Sequence, residues 1–460
     1  MLTPPGGTTT VKFRSWNRRR LESRVTQVDD QPVAEHALVV SSDGHATAKM
    51  RDYRPYLDPG LREEFDEFCD QFDVEGMTTT NPKSLANRID PELVEEWVAS
   101  VLDEGRVDGQ WDPVKRLAEL DHEGISGEIL FPDFGLPFEL HPPLVAAIVG
   151  YARTPTQIEA ANRAYNRWLV DFCQTAPDRL LGLAVVSFVD VQDTVAEIRW
   201  AKEAGFKGIV LPAMDEERPL FASEFEPIWS TLEETGLVVT THTAISSITT
   251  RISAAMLKAV PHSACAAPIM TAQAFFNCQQ ILNHMIWGGV LERHPRLQLA
   301  LTEQGSGWVV SALRGMDYSW ESSYLRRDVR QIVKHKPSFY FERQVHMGSS
   351  LFSLAEAVAR EDIGLQKIMI GADYPHHEGT WGAGPGTTEY MQATLGAAHV
   401  PAADARLMLG ENAIETFQLN GVALRETANR IGADLQVLLT PPAKNWFPRG
   451  DVHKPLATAF

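Results

Sequence analysis

FEPIWSTLEETGLVVTTH, residues 225–242, carries a helix straight into a strand. Phe225, Ile228, Trp229 and Leu232 fall at i, i+3, i+4 and i+7, which makes one apolar helical stripe. Ser223 and Glu226 mark its start as a capping box, and Gly236 marks its stop. The run LVVTTH that follows is rich in β-branched residues and ends on a histidine. The same pattern recurs on both sides. Residues 191–204 read as a helix ending at Gly205. Strand-like runs stand at 37–43 (ALVVSSD), 127–131 (GEILF), 180–187 (LLGLAVVS), 207–211 (KGIVL), 237–242, 297–303 (LQLALTE), 338–345 (SFYFERQV) and 367–373 (KIMIGAD). Eight strands separated by helical patterns predict an α/β fold, a parallel sheet closed into a TIM-type (β/α)8 barrel.

Two connections are too long for plain crossovers: 46–125, and 243–295 with its Ala-rich, Met-containing helix. Insertions of this length on a barrel usually build the substrate pocket. The organisation read from the chain is a polar N-terminal arm over 1–31, a barrel with these insertions over 32–420, and a C-terminal extension over 421–460. That extension holds a short helix and a Pro-rich tail. A chain of 460 residues suits one such barrel.

With 42 basic against 60 acidic residues, the formal net charge of −18 would repel a phosphate backbone, so no nucleic-acid partner is expected. No apolar run approaches the roughly 18 residues of a membrane span, and no membrane partner is expected. Arg18, Arg19 and Arg20 lie in the arm without the apolar run of a secretion signal. Cys69, Cys173, Cys265 and Cys278 are scattered, which suggests neither a disulfide framework nor a thiolate zinc site. A cytoplasmic location and a homo-oligomer, a dimer, are the expectations.

The strongest local signal is Asp43-Gly44-His45. Residues i and i+2 of a strand share a face, so both side chains would enter the barrel mouth together. Alone, the motif is a weak signal. It gains weight from His242, Glu303 and Asp373, which end the fifth, sixth and eighth strand runs. Catalytic side chains of TIM-type barrels converge at the C-terminal strand ends. Five imidazole and carboxylate groups meeting there carry too much buried charge without a cation. His376 and His377 follow Asp373 after Tyr-Pro, and His376 is placed to orient a carboxylate or donate a proton. His346 is a further candidate ligand. His284 reads as structural, and His122, His141, His262, His294, His335, His399 and His453 as packing or surface residues. Trp308, Trp320 and Trp381 could line a pocket.

The segments SSDGH around Asp43, WDPVKRLAELDHEGISGEILFP from Trp111, FEPIWSTLEETGLVVTTH, GGVLERHPRLQLALTEQGSGW from Gly288 and IGADYPHHEGTW from Ile370 carry a family resemblance. Over about 39–418 the chain resembles the amidohydrolase-related branch of the amidohydrolase superfamily. That group includes aminocarboxymuconate-semialdehyde decarboxylase and the resorcylate-type decarboxylases. The resemblance implies a distorted (β/α)8 barrel with Asp43, His45, His242 and Asp373 as metal ligands. The chain departs from those decarboxylases at Asp43, where they have HxH or ExH, and at Glu303, where they have a histidine. Fold and metal therefore carry over more directly than the reaction.

The leading expectation is a metal-dependent hydrolase, in which an activated water attacks an amide, ester, lactone or thioester carbonyl. Asp373 would then move the proton, with His376 and Glu303 as further catalytic groups. The alternative is a non-oxidative decarboxylase or hydratase of a small carboxylic acid on the same metal. A third reading, a silent scaffold, gives no reason for so many ligand-type side chains. Three carboxylates at the mouth suit one or two divalent ions, iron or manganese ahead of zinc. In the two-ion version Glu303 bridges, with His346 or His376 completing the second site. In the one-ion version Glu303 is a protonated or hydrogen-bonded acid.

Overall fold

The computed structural model describes residues 35–442 except 73, 75–77, 79, 87–88, 141–145, 147–148, 214–216, 244–258, 261–264, 266–267, 270–275, 304, 323–325 and 382–385. The arm over 1–31, the Ala-rich helix expected after 243, the tail beyond 442, and His141, His262 and His453 lie outside the described residues. The chain divides between Glu35 and His36, and the barrel belongs to the second unit.

Eight strands form one parallel sheet in sequential order. They are β1 (Val40–His45), β2 (Gly127–Phe131), β3 (Leu180–Val185), β4 (Gly208–Val210), β5 (Val238–His242), β6 (Leu299–Thr302), β7 (Val345–Ser350) and β8 (Ile368–Gly371). Beyond the ladders, Asp373 N–H donates to the Asp43 carbonyl at 2.9 Å and His45 N–H to the Tyr374 carbonyl at 2.6 Å. These bonds join the first strand to the end of the eighth, so the sheet is a nearly closed (β/α)8 barrel. The expected helix stops are present: Gly205 and Gly236 take the left-handed conformation, at φ 95° and 66°, that ends Val191–Ala204 and Glu226–Thr235. The capping box at Ser223 does not form. A 3-10 turn precedes the helix, and the Glu226 carboxylate instead accepts from Arg293 Nε at 3.1 Å and lies 2.8 Å from His294 Nε2.

The seventh strand corrects the sequence reading. SFYFERQV lies mostly in the helix Pro337–Gln344, because Pro337 supplies its first turn and Pro337, Tyr340, Phe341 and Gln344 bury one helical stripe. The strand is the next segment, VHMGSS, whose Gly and Ser conceal its β character. His346 therefore stands near the start of β7, paired with Ala300. Ser350, which reaches Asp43 at the mouth, is four residues further on, ~13 Å at strand rise. Expected as a ligand, His346 is instead held at the opposite end of the barrel. Its Nε2 lies 3.0 Å from Gln298 Oε1 and its Nδ1 3.0 Å from Thr416 Oγ1.

Helices close that lower end. Ala413, Phe417, Leu419 and Leu424 pack against Val40, Ile129, Leu181, Leu183, Val210, Val238, Ala300 and Met369 in one buried cluster. Leu424 belongs to the helix Gly421–Ile431. The segment beyond residue 420 thus contributes to the barrel floor, and Ala37 N–H donates to the Ala433 carbonyl at 2.8 Å. The C-terminal mouth is left for chemistry.

Burial, with Lys367 nearby, pushes the His346 imidazole down to about 3 from its ordinary 6.5. The folded value lies below the unfolded one, so the unfolded chain binds the extra proton. This contribution is complete above about pH 6.5 and is lost as pH falls towards 3, by up to about 1.4 kcal/mol per pH unit. Urea unfolding at stepped pH should show a shallower acid loss in His346→Gln than in the wild type. Equal slopes would refute the assignment.

Candidate metal centre

The pleat of β1 sends Asp43 and His45 into the barrel and Gly44 outward, as the spacing requires. His45 Nδ1–H donates to the Pro132 carbonyl at 2.8 Å, which fixes the tautomer and turns the Nε2 lone pair inward. There Nε2 is 3.6 Å from Asp43 Oδ1 and 3.3 Å from Asp373 Oδ1. His242, the last residue of β5, places Nε2 3.6 Å from the same Asp43 oxygen and Nδ1 3.2 Å from Glu303 Oε2. Ser350 Oγ donates to Asp43 Oδ2.

Asp373 and Glu303 stand just past β8 and β6 with φ of 58° and 63°. Non-glycine residues seldom adopt this conformation, and such strain concentrates at functional sites. His376, one turn after Asp373, has Nδ1 2.8 Å from Asp373 Oδ1 and Nε2 3.5 Å from Asp133 Oδ1.

These atoms form three overlapping groups: Asp43, His45 and His242; His45, Asp373 and His376; and Asp43, Glu303 and Asp373. Within each group the ligand atoms lie within 4.8 Å of one another. Asp43 Oδ1, His45 Nε2 and Asp373 Oδ2 are buried without a hydrogen bond. Buried polar atoms left in that condition are costly. A divalent cation would satisfy them at once, so the donor set fits a metal of the kind bound by oxygen and imidazole. Five of the six expected ligands converge here, and His346 does not.

The electrostatics follow from packing carboxylates together. The Glu303 side chain keeps 17 % exposure. Even so, burial first and then the neighbouring Asp373 and Asp43 carboxylates hold its carboxyl well above the usual range. Burial opposes protonation of His376, but Asp373 and Asp133 outweigh it and hold the imidazole well above its ordinary value.

Asp133 is the residue that sequence reasoning missed. It follows β2 by two positions in the run FPD, the available signal being a carboxylate just past a C-terminal strand end. Its Oδ2 accepts from Gln110 Nε2 at 3.0 Å and its Oδ1 from Phe134 N–H at 2.7 Å, so it faces His376 from a fixed position. His377 pairs with Glu378 and stands edge-on to Trp97. His284 packs edge-on to Phe221, in keeping with a structural role. Trp381 is buried against Tyr374 and donates from Nε1 to the His376 carbonyl at 3.0 Å, so it supports the loop that carries His376. Trp308 and Trp320 donate to the carbonyls of Gly305 and Val333.

The profile of the Amidohydrolase family matches residues 111–419, two thirds of the chain. This chain belongs to the amidohydrolase family. The match begins after β1, so the Asp43 and His45 positions rest on the barrel geometry. It is 24 % identical over 324 residues to the gamma-resorcylate decarboxylase of Rhizobium sp. (strain MTP-10005), covering 66 % of this chain and 87 % of that protein. Two solved structures share the amidohydrolase fold. One is an amidohydrolase from Mycobacterium avium subsp. paratuberculosis, with a TM-score of 0.59 and 18 % identity, covering 84 % of this chain and 100 % of the other. The second is the 5-carboxyvanillate decarboxylase of Novosphingobium aromaticivorans, complexed with manganese and 4-hydroxy-3-methoxy-5-nitrobenzoic acid. It has a TM-score of 0.54 and 19 % identity, covering 83 % of this chain and 96 % of that one. Among the described residues, no helix of this amidohydrolase is long and apolar enough to cross a membrane.

Proposed function

We propose that this amidohydrolase is a metal-dependent, non-oxidative decarboxylase of a small carboxylic acid, with hydroxyaryl acids the first class to test. Hydrolysis was the leading expectation from the sequence, but the decarboxylases among its relatives favour the alternative. The observation that carries the proposal is the placement of His376 between Asp373 and Asp133, at the edge of the ligand cluster. Decarboxylation breaks the bond between the substrate carbon and its carboxylate, leaves the electron pair on that carbon, and replaces carbon dioxide with a proton. The two carboxylates facing the imidazole hold it protonated, so it can supply the proton this reaction needs.

Asp43, His45, His242 and Asp373 would hold one divalent ion, manganese or iron ahead of zinc. When bound, it would orient the substrate's oxygens and stabilise the negative charge that develops on them. Asp373 Oδ1 and His376 Nδ1 share the proton that is delivered, and Asp133 keeps the ring turned towards Asp373. The test is to load the purified protein with Mn²⁺ and offer it hydroxybenzoic acids beside esters, lactones, thioesters and amides. Release of carbon dioxide supports the proposal. Acid release from the second panel alone returns the site to hydrolysis.

Glu303 has two possible places, and the contact of its Oε2 with His242 Nδ1 at 3.2 Å favours one. A carboxylate on that nitrogen turns Nε2 towards Asp43, the usual outer partner of a metal-binding histidine. The expected result is one ion per chain in both the wild type and Glu303→Gln, with affinity in the variant reduced ~10- to 100-fold. Two ions in the wild type and one in the variant would establish the two-ion version.

A further inference from the structure

The segment WDPVKRLAELDHEGISGEILFP contains two completely buried charged residues that the proposed chemistry leaves unused. Arg116 lies on the helix Pro113–Glu123 and Glu128 on β2, with Nη1 3.0 Å from Oε2. Neither faces the barrel axis. Ile129 and Phe131 pack with the barrel-lining cluster, so Glu128 points outward, behind the strand that bears Asp43 and His45. Burying an ion pair is a poor route to stability, because an apolar pair of similar volume is often as stable or more so. Its contacts suggest another purpose.

The guanidinium makes four contacts at once. Nη1 meets Glu128, Nη2 donates to the carbonyl of His45, Nε donates to the carbonyl of Gly109 at 3.1 Å, and Cζ lies over the Tyr374 ring, 3.8 Å from its centroid. On the other side of the same residue, His45 N–H is bonded to the Tyr374 carbonyl. The backbone of one candidate ligand is thus held at both its N–H and its C=O, and the residue after Asp373 is held by its ring. Two glycines make room for this. A Cβ on Gly44 would lie 2.1 Å from Glu128 Oε1, and one on Gly109 2.5 Å from the Tyr374 hydroxyl oxygen.

We infer that Arg116 and Glu128 are a positioning pair that clamps the end of β1 against the segment after β8, and so sets the affinity of the mouth for its metal. This rests on the reading of the ligand cluster as a metal site. Neither residue touches the ion or the substrate; Arg116 acts through His45 and Tyr374, and Glu128 acts through Arg116.

The test measures Mn²⁺ affinity by chelator competition, alongside thermal unfolding of the metal-free protein. Arg116→Met/Glu128→Leu removes both charges together, so no lone charge is left buried. Its unfolding midpoint should fall only modestly, from the two carbonyls that lose the Arg116 donor, while Mn²⁺ binds ~10- to 100-fold more weakly, a loss out of proportion to the change in stability that a purely structural pair would not produce. Arg116→Lys keeps the charge but loses the planar fork needed to reach His45, Gly109 and Glu128 together, and should also weaken Mn²⁺ binding. Wild-type affinity in the double variant overturns the inference. Should the double variant fail to fold, Arg116→Lys decides, and unchanged affinity there overturns it equally. Wild-type protein that takes up neither Mn²⁺ nor Zn²⁺ would overturn the metal reading itself, and the inference with it.

Discussion

Replacing His242 by alanine is expected to strip most of the metal from the protein and to lower kcat/KM by at least ~10³-fold, about 4 kcal/mol of lost transition-state stabilisation. The imidazole is buried at the end of β5, with Asp43 facing one ring nitrogen and Glu303 the other. Its removal takes away a neutral ligand and leaves Asp43, Glu303 and Asp373 around a smaller donor set. Like charges packed together at low dielectric repel, so the emptied mouth would take up protons in place of the cation. The barrel itself should survive, because the apolar residues of β5, Val238 and Val239, are buried in the core independently of His242. Metal analysis, circular dichroism and kinetics on one preparation check all three points. Full activity with undiminished metal would remove His242 from the site.

The parts of this site that could be read from the sequence are those in which strand period and chemistry coincide. Asp43 and His45 are two residues apart on a strand, so a shared face follows from the pleat alone. His242 could be placed because an amphipathic helix with a clear glycine stop delivers the chain into its strand. Other residues were hidden for physical reasons. Phe339, Tyr340 and Phe341 give 338–345 the composition of a strand, but Pro337 and a helical burial stripe decide the local structure, and His346 is carried to the wrong end of the barrel. Asp133 sits in no periodic pattern. Its role exists only once the loops after β2 and β8 face each other across the mouth. Arg116 and Glu128 read as ordinary polar positions of a helix and a strand, and their burial follows from the packing of that helix behind β1 and β2. Glu303 was visible as a charged strand end, but which neighbour it serves depends on a side-chain direction that no spacing rule contains.

Asp373→Asn is expected to lower kcat ~10²- to 10⁴-fold while leaving the fold intact, the range attributable to a positioned proton donor or acceptor. Asparagine is the informative replacement for two reasons. It matches the shape of aspartate, and it is one of the few residues that tolerates the left-handed conformation, φ 58°, which Asp373 adopts. The variant therefore changes charge and basicity without adding backbone strain. What it removes is the charged acceptor 2.8 Å from His376 Nδ1, an amide oxygen being a weaker one, together with the opposite charge that helps hold the imidazole protonated. Both losses weaken the proton donor, and the missing negative charge also weakens cation binding. Turnover should therefore be measured at saturating Mn²⁺, so that the kcat loss reports proton delivery rather than occupancy. A parallel Asp133→Asn variant removes the other carboxylate facing the ring without touching a candidate ligand, and should lower kcat at unchanged metal content. Near wild-type turnover in Asp373→Asn would mean that His376 delivers the proton unaided, and near wild-type turnover in both variants would remove the His376 relay from the mechanism.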